Sequence, residues 1–427
     1  MKTKLSPRFW CALALFGLIG QVAWVVENMY LNVFIYKMFR ASAGDISTMV
    51  AASAVAAKLT TVLMGALSDK VGRRKIFMCL GYILWGVSVL GFALLRVDLI
   101  GALFPMAASA AAVGVTLTIL LDCVMTFFGS TANDAAYNAW VTDSTDSTNR
   151  GAAEGINAMM PLLAILVVFG GFMAFDLDRA ESWTVIYCVI GGVVAAVGVA
   201  GLFLVEDRCV PAEAGYWQSV VYGFRPATVR ENRALYLCFL GFILFNISIQ
   251  IFMPYLILYY EVALGMKNYV LVMAPAILAA AAVTAFWGKV YDRRGFRFSA
   301  LFALGWLILG YIVLFAFRAT VPVFIGSLLM MCGYLSGMAV FGARIRDLTP
   351  AGKAGMLQGV RIFSQVLIPG VVGPWIGRTV LKNAEMIVNS DGTYSFVPNA
   401  DIFLAALIPA AIVLLAETFG RKNHADG

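Results

Sequence analysis

The sequence contains a single histidine, His424, and no arrangement of histidines and cysteines at metal-ligand spacing. It also lacks the Gly-x4-Gly-Lys loop that cradles a nucleotide phosphate. Nothing in it resembles an enzyme site, and neither a metal nor a cofactor is expected. Without a nucleotide site, any work the protein does must draw on a gradient. Charge is scarce as well: only 13% of the residues are Asp, Glu, Lys or Arg, while 61% are hydrophobic. A chain of 427 residues with that balance cannot cover its apolar surface with charge as a water-soluble protein does. It reads as an all-α polytopic membrane protein in contact with the lipid bilayer.

Crossing roughly 30 Å of hydrocarbon at about 1.5 Å per residue needs some twenty apolar residues. Such runs lie near 9–36, 46–68, 76–95, 102–140, 152–175 and 183–205, and again near 234–260, 268–287, 298–317, 321–342, 354–377 and 399–419. That makes twelve spans. The fourth run is too long for one simple crossing. Six cysteines (Cys11, Cys79, Cys123, Cys188, Cys238 and Cys332) fall in these spans and Cys209 in a loop, so they read as small apolar residues. The basic start at Lys2 and Lys4 leads into an apolar run without a small-residue cleavage site, which reads as an uncleaved first helix.

Alternating loops divide the basic residues unequally. One set, with both termini, holds 22 Lys and Arg; the other holds 8. Cytoplasmic loops retain such residues, so both termini are expected in the cytoplasm of a multi-pass inner-membrane protein. The net charge of +7 then needs no nucleic acid to explain it, because basic loops facing anionic lipid suffice.

The stretch Gly65-Ala66-Leu67-Ser68-Asp69-Lys70-Val71-Gly72-Arg73-Arg74-Lys75 recurs 223 residues later as Gly288-Lys289-Val290-Tyr291-Asp292-Arg293-Arg294-Gly295-Phe296-Arg297. Each copy separates two apolar runs and reads as a tight charged turn, with Gly72 and Gly295 providing the backbone freedom. This resembles the loop after the second and eighth helices of the major facilitator superfamily. The resemblance implies two pseudo-symmetric six-helix bundles, here 1–205 and 234–427 joined by a cytoplasmic linker at 206–233. A second repeat, Asp143-x-Thr145-x5-Gly151-x2-Glu154-Gly155 against Asp347-x-Thr349-x5-Gly355-x2-Gln358-Gly359, is offset by 204 residues. The first half therefore holds about 19 extra residues between its motifs, which places an added far-side or reentrant segment at 96–117 and the fourth crossing near 116–140.

Polar residues inside spans are the candidates for function. The first span carries Gln21, Trp24, Asn28 and Asn32 on one helical face with Glu27 nearby. They either bridge helices by hydrogen bonds or line a pathway, and an ionisable Glu27 favours the second. Lys58 stands 11 residues before Asp69, about 16 Å along a helix and so near the middle of the membrane. It must find a carboxylate, sit in a wet cavity or lose its proton; a purely structural ion pair is the other reading. The seventh span repeats the polarity of the first with Asn246, Gln250 and Tyr255 around Pro254, and the eleventh offers Arg361 and Gln365. Amides and aromatics suit a neutral polyol, yet they also pack helices. Arg361 would either face Asp134 across the two halves or reach lipid phosphate.

The run Asn133-Asp134-Ala135-Ala136-Tyr137-Asn138-Ala139-Trp140-Val141, followed by Asp146 and Asn149-Arg150, resembles the fourth-helix region of the glycoside-pentoside-hexuronide cation symporters. That resemblance implies a sugar-recognition role for Asp134 with Asn138 beside it; bracing of the helix end is the alternative. The segment from Asp347 through Lys353 to Arg361 is similar to the stretch before that family's eleventh helix, and implies that Lys353 links cation and sugar sites. The chain departs from the sodium-coupled members at Ala57 and Thr61, where acidic residues would stand, so a proton is expected over sodium as the coupling cation.

The resulting expectation is a secondary transporter working by alternating access, with a proton-coupled symporter of a sugar or glycoside, acting as a monomer, as the leading form. Glu27, Lys58 and Asp134 would form its coupling charge group. Gln21, Trp24, Asn28, Asn138, Asn246, Gln250, Tyr255, Arg361 and Gln365 would join Asp134 around the small-molecule substrate, and Asp69, Arg73, Asp292 and Arg297 would form gating loops. An exporter of amphipathic compounds or lipids and a non-transporting membrane receptor or scaffold are the competing readings.

Overall fold

The computed structural model describes residues 5–145, 150–206, 223–350, 357, 360–389 and 392–419. Lys353 and Gln358 lie outside the described residues, and so does the side chain of Asp69. The chain divides into two compact units, Met1–Ala214 and Gly215–Gly427.

Among the described residues, ten helices are long and apolar enough to cross a membrane. One of them, Val270–Ala316, runs for 47 residues, about 70 Å if straight and far more than a bilayer needs. Its backbone breaks at Gly295, where φ is 75°, so it makes two crossings. Arg150–Phe172, with the shorter apolar stretch Met159–Phe172, supplies the twelfth. The fold is thus the expected twelve-helix one, with six crossings in each unit.

Local sequence explains where these helices begin and end. The first starts with Ser6 accepting a hydrogen bond from the Phe9 amide at 3.2 Å and Pro7 in the first turn, where a missing N–H costs nothing. The second, Ala43–Val71, opens on a reciprocal cap between Ser42 and Asp45 (2.8 and 3.2 Å). It ends on Gly72 at φ 69°, the left-handed conformation the turn requires. The fourth crossing, Ala110–Ser144, begins six residues before the expected 116, because Ser109 caps it by accepting from the Ala112 amide at 3.2 Å. The extra residues before it form a short helix, Val97–Leu103, and a six-residue connection rather than a reentrant segment. In the second unit two strands, Met386–Val388 and Tyr394–Phe396, flank the expected polar turn and pair antiparallel, with Met386 opposite Phe396.

Among the described residues, four of the crossing helices contain a π-helical turn: Val26–Tyr30, Ser130–Tyr137, Tyr259–Ala263 and Phe363–Leu367. Such turns insert one residue into an α-helix and re-aim the side chains at that level. Glu27 and Asp134 both lie on them, as do Ser364 and Gln365. Packing elsewhere is close. A Cβ on Gly86 of the third helix would come within 2.5 Å of the Ala195 amide nitrogen and the Gly191 carbonyl of the sixth, so this pair of helices touches backbone to backbone.

Candidate functional site

The fourth helix presents Asp122, Thr126, Ser130 and Asp134 at four-residue intervals, one face extending for about 18 Å. The second helix sets Ser53, Lys58 and Thr61 against it, and Glu27 comes in from the first. The result is a polar seam inside the first unit with two levels.

At one level, Glu27 Oε1 accepts from Ser53 Oγ at 2.8 Å and from Thr126 Oγ1 at 2.9 Å, and the two hydroxyl oxygens are 2.9 Å apart. Asp122 stands one turn before Thr126 on the same helix. Glu27 and Asp122 are buried, with 8% and 1% of their surface exposed, and each keeps one oxygen, Glu27 Oε2 and Asp122 Oδ1, without a hydrogen-bond partner. At the other level, two turns along the fourth helix, Lys58 Nζ stands 3.4 Å from Asp134 Oδ2. The same oxygen is approached by Ser130 Oγ at 3.3 Å and Thr61 Oγ1 at 3.5 Å. The two levels sense each other's charge, since both Asp134 and Lys58 act on Glu27. Three carboxyls and one ammonium therefore share a region from which lipid excludes water, where the protonation of one group must alter the pairing of the others.

Behind the seam a hydrogen-bond chain fixes the fourth helix to its neighbours. Trp24 Nε1 donates to Asn133 Oδ1 at 3.3 Å, Asn133 Nδ2 to the Tyr82 hydroxyl at 2.7 Å, and Tyr82 to the Phe16 carbonyl at 2.6 Å. Gly20 sits under this chain. A Cβ there would collide with both Asn133 Nδ2 and the Tyr82 oxygen.

The structure brings Glu27, Lys58, Asp134 and Trp24 together in one region. Three of the expected amides turn back on their own helices. Asn28 donates to the Trp24 carbonyl at 2.8 Å, Asn138 to the Asn133 and Asp134 carbonyls at 3.1 Å each, and Asn246 to the Phe242 carbonyl at 2.8 Å. Gln21 is half-buried. In the second unit the seventh and eleventh helices cross tightly, since a Cβ on Gly373 would collide with Gln250 Cβ and one on Gly377 would meet the Ile251 carbonyl at 2.5 Å. Tyr255, fully buried, points its hydroxyl toward the Pro374 carbonyl at 3.5 Å. Arg361 and Gln365 are half-buried one turn apart on the eleventh helix.

The repeated loops differ from each other. In the first, Arg73 is exposed while Arg74 is buried and bonds to Asp143 Oδ2 at 3.1 Å and to Ser68 Oγ at 2.5 Å. In the second, Arg297 donates to the Glu417 and Thr418 carbonyls at 3.1 and 2.6 Å, closing the end of the last helix. Asp292 is exposed and makes no ion pair among the described residues. Two residues outside the sequence-based selection thus hold central positions: Asp122, whose signal was a carboxyl inside a span, and Arg74, which nothing in the sequence separates from its neighbour.

A twelve-helix chain in two units, a repeated charged loop and ionisable side chains paired within the apolar core together describe a transport protein. The family model of the Major Facilitator Superfamily matches residues 9–374. The chain belongs to that superfamily. As a major facilitator it is a transporter and not an enzyme, a membrane protein that handles small molecules. Solved structures agree on the fold. A nucleoside transporter, NupG, superposes with a TM-score of 0.69 at 11% identity, covering 96% of this chain and 98% of its own. A D-xylose-proton symporter gives 0.70 at 15%, covering 97% of each. A bacterial homologue of the human lysosomal transporter Spinster gives 0.68 at 16%, covering 97% and 98%. No curated protein sequence matches the chain.

Proposed function

We propose that this major facilitator is a proton-coupled symporter of a small polar solute, with sugars and glycosides the first class to test. The observation that carries the reading is the Lys58–Asp134 pair at 3.4 Å, held in the same seam as Glu27. An ammonium and three carboxyls inside a membrane bundle are costly unless they do work, and a change in their protonation can drive exchange between inward-open and outward-open states. Asp134, 25% exposed and flanked by Ser130 and Thr61, is a carboxylate able to accept solute hydroxyls in competition with Lys58. The likeness of the run Asn133 through Val141 to the glycoside-pentoside-hexuronide symporters supports sugars, and so does a D-xylose-proton symporter among the structures of the same fold. The basic-loop asymmetry supports a cytoplasmic-membrane protein with both termini inside.

The test is uptake of a panel of sugars and glycosides into proteoliposomes, with pH and sodium gradients imposed separately, on wild type, Lys58→Ala and Asp134→Asn. The expected result is uptake driven by the pH gradient alone and lost in both variants. Uptake driven by sodium alone with Lys58→Ala unimpaired, or no uptake of any sugar, overturns the reading.

A further inference from the structure

The second unit holds positive charge that its own side chains leave unanswered. Arg361 stands near the start of the eleventh crossing, Val360–Asn383, half-buried and without an ion pair or side-chain hydrogen bond among the described residues. A guanidinium does not give up its proton in a protein, so one held partly out of water keeps an uncompensated charge. Gln365, one turn further along, also has no hydrogen-bond partner among the described residues.

The tenth helix, Thr320–Leu348, brings a second arginine to the same place. The nearest atom that a Cβ on Gly342 would meet is Arg361 Nη2, at 3.8 Å, so this helix presents bare backbone to the guanidinium. Arg346 lies one turn beyond Gly342, about 6 Å along the axis on the same face. Side chains on a helix lean back toward its N-terminus, which here is toward Gly342. The two guanidinium charges accordingly act on each other. Arg346 too has no ion pair or side-chain hydrogen bond among the described residues. By itself it would need no explanation, because a cation suits the last turn of a helix. Arg361, inside a crossing, has no such anchor.

The other charged groups nearby are engaged elsewhere. Asp347 accepts from the Tyr291 hydroxyl of the eighth helix, and Arg344 lies over the Phe296 ring, 5.5 Å from its centroid. What remains is two arginine forks and an amide beside a glycine with no side chain to fill the gap. A carboxylate would bring one negative charge to them. A phosphate brings about −1.5 to −2 at neutral pH and three strong acceptor oxygens, enough for both forks.

We infer that Arg346, Arg361 and Gln365 form a binding site for a phosphate group, at the end of the second unit expected to face the cytoplasm. Phosphate reaches that level from two sources, the headgroup of an anionic phospholipid or a phosphorylated solute, and these donors suit both. The site lies in a different unit from the Lys58–Asp134 seam and does not depend on proton-coupled symport.

Calorimetric titration and thermal melts of the purified full-length protein test it. One arm, in neutral detergent, compares inorganic phosphate with sodium chloride at equal ionic strength; the other compares nanodiscs of phosphatidylcholine with and without phosphatidylglycerol. Variants are Arg361→Gln, Arg346→Gln, Arg361→Lys, Gly342→Leu and, as a control, Arg344→Gln. The expected result is saturable stabilisation of wild type by phosphate and not by chloride. Each glutamine variant of Arg346 and Arg361 should weaken it about tenfold or more, the loss of a charge-assisted hydrogen bond. Arg361→Lys should weaken it as well, because an ammonium lacks the fork that holds two oxygens. Gly342→Leu should abolish it with both charges in place, and Arg344→Gln should match wild type. Arg361→Lys and Gly342→Leu also serve where a glutamine variant does not fold. Stabilisation by phosphatidylglycerol that is lost in Arg361→Gln identifies the lipid as the source, and stabilisation by inorganic phosphate alone identifies a solute; either supports the site. No response of folded wild type to either probe, or a response equal in wild type, Arg346→Gln and Arg361→Gln, overturns the inference.

Discussion

Removing the Lys58 ammonium is the most direct perturbation of the seam, and its size can be worked out from the geometry. At 3.4 Å the attraction to Asp134 is about 5 kcal/mol at the effective dielectric suited to partly exposed pairs. Desolvation of both ions offsets much of this. Truncating one member of a fully buried pair costs about 3–5 kcal/mol, because the other charge is left without compensation. Here the side chains are 15% and 25% exposed, and the Ser130 and Thr61 hydroxyls remain on Asp134, so the loss should be smaller. We expect Lys58→Ala to lower stability by about 1–3 kcal/mol, the range for an orphaned buried polar group. Adding Asp134→Asn to Lys58→Ala removes the orphan and should recover more than half of that loss. The assay is reversible denaturant unfolding in detergent on the two single variants and the double, read as a double-mutant cycle. A coupling energy below about 0.5 kcal/mol, within the additivity of independent sites, would refute the claim that this pair is the electrostatic centre of the seam.

Other perturbations test the scaffold around it. Arg74→Ala should leave Asp143 and Ser68 without their shared partner and destabilise by about 1–3 kcal/mol in the same assay. Arg74→Lys should not restore it, since an ammonium lacks the fork that reaches both groups. Gly20→Val should force Asn133 and Tyr82 apart and cost about 1–3 kcal/mol by overpacking, measured as a lowered melting temperature and a changed tryptophan spectrum at Trp24. Outside the membrane, the Arg96 guanidinium holds the Asp98 carboxyl below its ordinary range, chiefly by hydrogen bonding at 3.1 Å. The contact is therefore complete above the ordinary aspartate pKa and is lost as pH falls through the lowered one. Arg96→Ala should raise the Asp98 pKa, read by carbon-detected NMR of labelled aspartate.

The frame of the molecule was legible because it depends on properties that average over many residues. Twenty apolar residues in a row identify a crossing whatever their order, and Gly72 and Gly295 mark turns because only they take a positive φ there without strain. Lys58 and Glu27 were legible because an ionisable group within a span has few alternatives. What failed to show was the detail set by single-residue rotation. Arg74 is the first residue of its helix and Arg73 the non-helical residue just before it, so the exact first residue of that helix decides which is buried. Asn28, Asn138 and Asn246 looked available for a solute, but an amide four residues beyond a carbonyl on the same helix can fold back to it, and hydropathy carries no trace of that choice. Asp122 was passed over for a related reason. Its burial is set by how the fourth helix packs against its neighbours, which no pattern within that helix announces.

The π turn at Ser130–Tyr137 has a consequence for how this helix tolerates changes in length. An α-helix with a π turn is an α-helix with one residue too many, so the excess can be taken out at no cost in hydrogen-bond pairing. Deleting a single residue between Ser130 and Asp134 would leave a continuous α-helix in which Asp134 follows Asp122 by about three whole turns, so the two carboxyls would still face the same way. In a plain α-helix their present spacing would instead leave them about 120° apart. A one-residue deletion in a helix without such a turn rotates everything beyond it by about 100°. A reading-frame-preserving loss at this point is therefore a one-codon change that the acidic face of this helix can absorb.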